Sequence, residues 1–142
     1  MVASLNNVGL SPWCPASRLL HHGCMAANIL LVDDDPGFRR VAAALLRARG
    51  MNVIGECADG RSAIEAVRTH EPDGVLLDLH LPDQDGMAVA RALREGLHPP
   101  RVILTSTERS PWSKHELAAA GVRAFLTKDL LFDSDLLRLF SS

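Results

Sequence analysis

The sequence has no apolar stretch approaching the roughly 20 residues of a membrane-spanning helix, which excludes that class of protein. Cysteine is scarce and odd in number, with only Cys14, Cys24 and Cys57 in 142 residues. That argues against a disulfide-stapled scaffold and fits a reducing, cytoplasmic setting. Charge of one sign is also missing: 15 Lys and Arg oppose 17 Asp and Glu, for a formal net charge of -2. No basic excess is available to attract nucleic acid, and no direct binding to it is expected. Residues 1–24 show no sustained period of two or 3.6 and no continuous apolar core of a secretory signal. Residues 1–27 are therefore read as a weakly ordered extension. Met25 directly precedes Ala26-Ala27-Asn28, so translation from Met25 is an alternative start. Cys14, His21, His22 and Cys24 are zinc-ligand types, but their spacing matches no common zinc module.

What remains has the size and composition of one globular domain, with 47% hydrophobic and 23% charged residues. Asn28-Ile29-Leu30-Leu31-Val32 and Gly74-Val75-Leu76-Leu77 read as strands buried on both faces, as in parallel sheets. The first runs out into Asp33-Asp34-Asp35-Pro36 and the second into Asp78. Acids at the carboxyl ends of such strands lie on the edge where open α/β sheets bind ligands. Crowded carboxylates repel one another unless a cation is present, and Mg²⁺ favours such hard oxygen ligands.

Strands and helices alternate from Asn28 onward. Strands are predicted at Asn28–Val32, Asn52–Gly55, Gly74–Asp78, Arg101–Thr105 and Arg123–Thr127. Helix one follows Asp35, a plausible N-cap with Pro36 at the first helical position. Phe38, Val41, Ala42, Leu45 and Leu46 form its apolar face, and Gly50 supplies its stop. Helix two starts at the Asp59-Gly60 turn and runs to about Thr69, with Ala63, Ile64 and Val67 inward. Helix three starts near Gly86, with Asp85 as a possible cap. Helix four covers Ser113 to Ala120, and a short fifth covers Ser134 to Phe140. Five βα units imply a parallel sheet with helices on both faces.

Four segments closely resemble the receiver domain of two-component response regulators. They are Val32-Asp33-Asp34-Asp35-Pro36, Leu77-Asp78-Leu79-His80-Leu81-Pro82-Asp83-Gln84-Asp85-Gly86, Leu104-Thr105-Ser106 and Phe125-Leu126-Thr127-Lys128. Each falls at a strand end, in the family's order and near its spacing, over residues 28–142. The resemblance implies a flavodoxin-like, doubly wound five-stranded sheet of order 2-1-3-4-5 with five helices.

It also implies roles. Asp78 would accept a phosphoryl group from a histidine kinase or phosphotransfer protein, since a carboxylate can form an acyl phosphate. Asp34 would contact Mg²⁺ directly and Asp33 mainly through water. His80 would contribute its backbone carbonyl, leaving the imidazole incidental. Thr105, with Ser106 and Thr107 as neighbours able to substitute, would donate a hydroxyl to a phosphoryl oxygen. Lys128 would pair first with the acids and then with the phosphoryl group. Phe125 is the switch aromatic and can act only through packing, because it lacks a tyrosine hydroxyl. Asp129 stands where many receivers carry proline. A cis bond before a non-proline residue costs about 2.5–4 kcal/mol, so a trans Lys128-Asp129 bond is expected. Lys-Asp here is similar to the subgroup usually joined to helix-turn-helix domains.

After Phe140 only Ser141-Ser142 remain, so the expectation is a stand-alone receiver. It would act as a phosphorylation-dependent switch for an unknown effector protein, without independent enzymatic activity. Helix four, strand five and helix five form the expected output face, with Trp112, Leu117, Leu131 and Phe132 as members. A phosphorylation-dependent homodimer is a further outcome. Two alternatives are a truncated relative of a DNA-binding regulator and a phosphorylation-independent binding module. A third, a phosphomonoester enzyme on this fold, lacks its Asp-x-Asp-x-Thr pattern, since Gly37 occupies the last position.

Overall fold

A computed structural model describes residues 26–141. The expectations for the N-terminal extension, Met25 and the Cys14, His21, His22 and Cys24 group lie outside the described residues, apart from Ala26 and Ala27.

The elements run β1 (Asn28–Val32), α1 (Pro36–Ala48), β2 (Asn52–Cys57), α2 (Gly60–His70), β3 (Gly74–Asp78), α3 (Gly86–Arg94), β4 (Arg101–Ser106), α4 (Lys114–Ala119), β5 (Val122–Thr127), a 3₁₀ helix (Lys128–Asp133) and α5 (Leu136–Phe140). All strand pairs are parallel, in the order β2-β1-β3-β4-β5. That is the expected 2-1-3-4-5 sheet.

Every residue of β1 and β3 is buried, because their side chains point alternately into two cores. Leu30, Val32, Val75, Leu77, Val102 and Leu104 face α2, α3 and α4. Ile29, Leu31, Leu76 and Ile103 face α1 and α5. Phe140 and Leu136 plug α5 into the second layer at 1% and 0% exposure. Burying a side chain such as Phe140 is worth about 1.5–3 kcal/mol.

Local chemistry sets the helix starts. Asp35, Asp59 and Asp85 accept from the amides of Gly37, Ser62 and Ala88. Ser113 and Glu116 form a reciprocal capping box on α4. Gly50, at φ 85°, follows α1 in the left-handed region that glycine tolerates best.

Several expectations need correction. Val41 is exposed and Ala43 is buried in its stead, so the inward stripe of α1 is rotated from the predicted one. Strand β2 reaches Cys57, two residues past the predicted end, because Leu31 and Val32 pair with Glu56 and Cys57. Helix α5 begins at Leu136 rather than Ser134, behind a 3₁₀ helix that was not predicted. Leu131 is fully buried in the second core and Leu117 is buried in the first, which removes both from the exposed part of the expected output face. Among the described residues every peptide bond is trans, Lys128-Asp129 included.

Candidate functional site

Parallel pairing brings the strand ends together. Val32 pairs with Leu77, so Asp33 and Asp78 emerge side by side from the two central strands. Asp78 pairs with Thr105, and Ser106 with Thr127, which places Lys128 at the same edge.

Carboxylate oxygens of Asp33, Asp34 and Asp78 lie within 4.8 Å of one another, the group among the described residues that could hold a metal ion. Asp33 is 1% and Asp78 5% exposed, whereas Asp34 faces solvent. Lys128 Nζ sits 2.8 Å from Asp33 Oδ2 and 3.8 Å from Asp78 Oδ2. Asp33 Oδ1 accepts from the Asp35 amide at 2.9 Å. Its Oδ2 is buried and receives no well-directed hydrogen bond; the ammonium beside it supplies charge alone. A buried, underserved carboxylate oxygen among three acids is the donor set a hard cation takes. Burial, then the Asp33 charge, pushes the Asp78 carboxyl up to about 6 from an ordinary 3.8. Lys128 and the His80 amide partly offset this, and Asp34 adds to it.

The His80 side chain is exposed and its amide bonds the Asp78 carboxylate. The imidazole thus stands apart from the acids. Thr105 is buried at the register position of Asp78, and its hydroxyl donates a long 3.5 Å contact to the Leu77 carbonyl. Ser106 instead accepts from the Glu108 amide at 3.1 Å, and Thr107 is exposed. Of the three hydroxyls, only Thr105 shares the register of Asp78. Phe125 is half-buried against the first core and pairs with Leu104. It also lines an open groove of about 610 Å³ with Trp112, Leu117 and Leu130.

Comparison with known proteins decides the family: the response regulator receiver domain matches residues 29–139. The chain belongs to that family. The protein described as "Probable transcriptional regulatory protein NarL" of Mycobacterium tuberculosis is 39% identical over 103 residues, 72% of this receiver and 48% of that protein. This receiver spans between about a quarter and about half the length of the curated relatives it matches. The signal receiver domain of NarL from the same organism has a TM-score of 0.66 at 38% identity, covering 73% of this receiver and 85% of that chain. The BeF3-activated N-terminal receiver domain of Klebsiella pneumoniae RstA has a TM-score of 0.68 at 32% identity, covering 79% and 94%.

Two contacts of the receiver's site were not legible in the motifs. Phe38 lies with its ring centroid 4.3 Å from Lys128 Nζ, a cation–π contact. Arg39 donates from Nη1 to the Asp33 carbonyl at 2.5 Å and pairs through Nε with Glu56 at 3.1 Å. It thereby ties the end of β1 to β2. Phe38 was predicted as an apolar-face residue and is one, packed on the second core. Nothing in its spacing signals the ammonium above it. No helix among the described residues is long and apolar enough to cross a membrane.

Proposed function

We propose that this receiver is a phosphorylation-dependent signalling switch, with Asp78 as the phosphoacceptor. One observation carries the reading: Asp78 ends the central strand beside two further acids and within 3.8 Å of a lysine ammonium. An Asp78 carboxylate oxygen attacks the phosphorus of a phosphohistidine on a histidine kinase or phosphotransfer protein. The P–N bond breaks, and the imidazole leaves with the electron pair and takes up a proton. The product is an acyl phosphate on Asp78.

Asp33, Asp34 and Asp78, with the His80 backbone carbonyl, would hold Mg²⁺. That ion supplies charge neutralisation to the transferring group. Lys128 swings from Asp33 towards the phosphoryl oxygens, and Thr105 turns its hydroxyl from the Leu77 carbonyl to the same group. The space Thr105 vacates lets Phe125 repack. A local charge change thus biases a surface that a downstream effector protein reads, in the cytoplasm. Trp112 and Phe132 are the remaining exposed or half-exposed members of that surface. Self-association on phosphorylation is an allowed output. No independent catalytic role beyond the receiver's own phosphorylation and dephosphorylation belongs to this reading.

A second reading is favoured by the relatives. NarL, described as a probable transcriptional regulatory protein, is about twice the matched length, and the Lys128-Asp129 pair points the same way. The receiver would then control DNA binding by another module.

Intact-mass measurement after incubation with acetyl phosphate tests the switch. One phosphoryl adduct is expected with Mg²⁺, with none in EDTA or in Asp78→Asn. An adduct of equal yield in Asp78→Asn would remove Asp78 from its role.

A further inference from the structure

The geometry points to Asp83 as a positioning residue of the acidic site: its carboxylate clamps the β3–α3 loop to the start of α2 and so holds the His80 backbone against Asp78. The inference rests on the reading of Asp33, Asp34 and Asp78 as a Mg²⁺ site.

The two oxygens of Asp83 take two separate donors. Oδ1 accepts from the Gly60 amide at 2.8 Å and Oδ2 from the Arg61 amide at 3.0 Å. The Gly60 bond leads in holding the Asp83 carboxyl below its ordinary range. Helix α2 already has its own cap, since Asp59 Oδ1 accepts from the Ser62 amide at 2.8 Å and its hydroxyl at 2.6 Å. Asp83 therefore serves the two first amides that Asp59 does not reach. It does so from the loop that follows the acceptor.

The approach is close. A Cβ on Gly60 would lie 2.7 Å from Gln84 Cγ in this loop and from Val89 Cγ2 in α3, so any larger residue would force one of these side chains to move. The path from Asp83 to Asp78 is short. His80 and Asp85 form an antiparallel bridge on either side of Asp83. The Gly86 amide donates to the Leu79 carbonyl at 2.6 Å, and the Leu79 amide to the Thr105 carbonyl at 2.8 Å. The His80 amide donates to the Asp78 carboxylate. The loop is thus fixed at its base by these backbone bonds and at its tip by Asp83. Releasing the tip frees the segment that orients His80, and a ligand shell depends on the groups that orient it.

The test uses the full chain and three variants. Mg²⁺ affinity is measured by calorimetric titration, and the His80 amide is followed by ¹⁵N NMR in metal-free protein. Asp83→Ala is expected to weaken Mg²⁺ binding about tenfold and to shift the His80 amide. Asp83→Asn loses the same charge and keeps one of the two acceptors while turning an amide NH2 on the other backbone N–H, and is expected to fall between the parent and Asp83→Ala; a loss larger than that of Asp83→Ala would overturn the clamp. Asp59→Ala weakens the cap of the same helix without touching the loop, and should bind Mg²⁺ like the parent. Unchanged affinity in Asp83→Ala, or an equal loss in Asp59→Ala, would overturn the clamp. If the parent binds no Mg²⁺, the metal reading fails. The His80 amide then decides the clamp alone, and an unmoved resonance in Asp83→Ala overturns it.

Discussion

Replacing Asp78 with asparagine should stabilise the metal-free protein, although it removes the proposed acceptor. The folded state raises the Asp78 carboxyl from 3.8 to about 6, through burial first and the Asp33 charge second. For an acid raised in this way, the favourable contribution to folding is complete below 3.8. It is lost as pH climbs through about 6. At pH 7.5 the group is ionised in both states, and folding must confine its charge beside Asp33. The displacement corresponds to about 3 kcal/mol. Solvent entering beside exposed Asp34 screens this to about 1–2 kcal/mol. A neutral amide of the same shape avoids that cost and can still accept the His80 amide. Thermal unfolding at pH 7.5 in EDTA should therefore show Asp78→Asn melting roughly 4–8 °C above the parent, with the gap closing near pH 4. Adding Mg²⁺ should raise Tm of the parent and leave the variant almost unchanged, because only the state that binds the ion gains from it. A variant less stable than the parent at pH 7.5, or a gap independent of pH between 4 and 7.5, would refute the reasoning.

Other perturbations separate the parts of the site. Lys128→Ala leaves Asp33 Oδ2 buried with no countercharge. It should destabilise by about 2–3 kcal/mol, below the 3–5 of a fully buried pair because the lysine is partly exposed; urea denaturation at pH 7.5 reads this. In phosphorylation assays Lys128→Ala and Thr105→Ala should still accept a phosphoryl group but lose its effect on partner binding. Phe140→Ala should cost about 3–5 kcal/mol by opening a cavity between α5 and the sheet, with no change in Mg²⁺ affinity per folded molecule. Gly86→Ala would set a Cβ 2.6 Å from the Asp78 carbonyl oxygen, a backbone atom that cannot step aside. It should impair Mg²⁺ binding as well as stability, by calorimetry and thermal melting.

Much of the fold was legible because its central strands are buried on both faces. Ile29 to Val32 and Val75 to Leu77 need no partner to be read as strands, and the acids that end them mark the ligand edge. The last two residues of β2 were hidden because Glu56 and Cys57 break the apolar run, while pairing with β1 continues through the backbone. The 3₁₀ helix was hidden in Asp129-Leu130-Leu131-Phe132, where consecutive apolar residues carry no period. Leu131 points inward there while Leu130 and Phe132 face out. The same limit explains Val41, where a helix stripe read from apolar spacing is accurate only to about one residue. In the site, residues at strand ends were readable from the chain. Contacts made across elements were not: Phe38 to Lys128, Arg39 to Glu56 and Asp83 to Gly60 join residues whose spacing carries no period. The contacts of Asp83 were hidden because its partners lie 22 and 23 residues upstream.

The most direct test of the central claim is chemical location of the phosphoryl group. Protein treated with acetyl phosphate and Mg²⁺ is reduced with borohydride, which converts an aspartyl phosphate to homoserine, and its peptides are sequenced by mass spectrometry. Homoserine at position 78, absent when Mg²⁺ is chelated, is the predicted result. Homoserine at position 33 or 34, or an adduct elsewhere with position 78 unmodified, would contradict it.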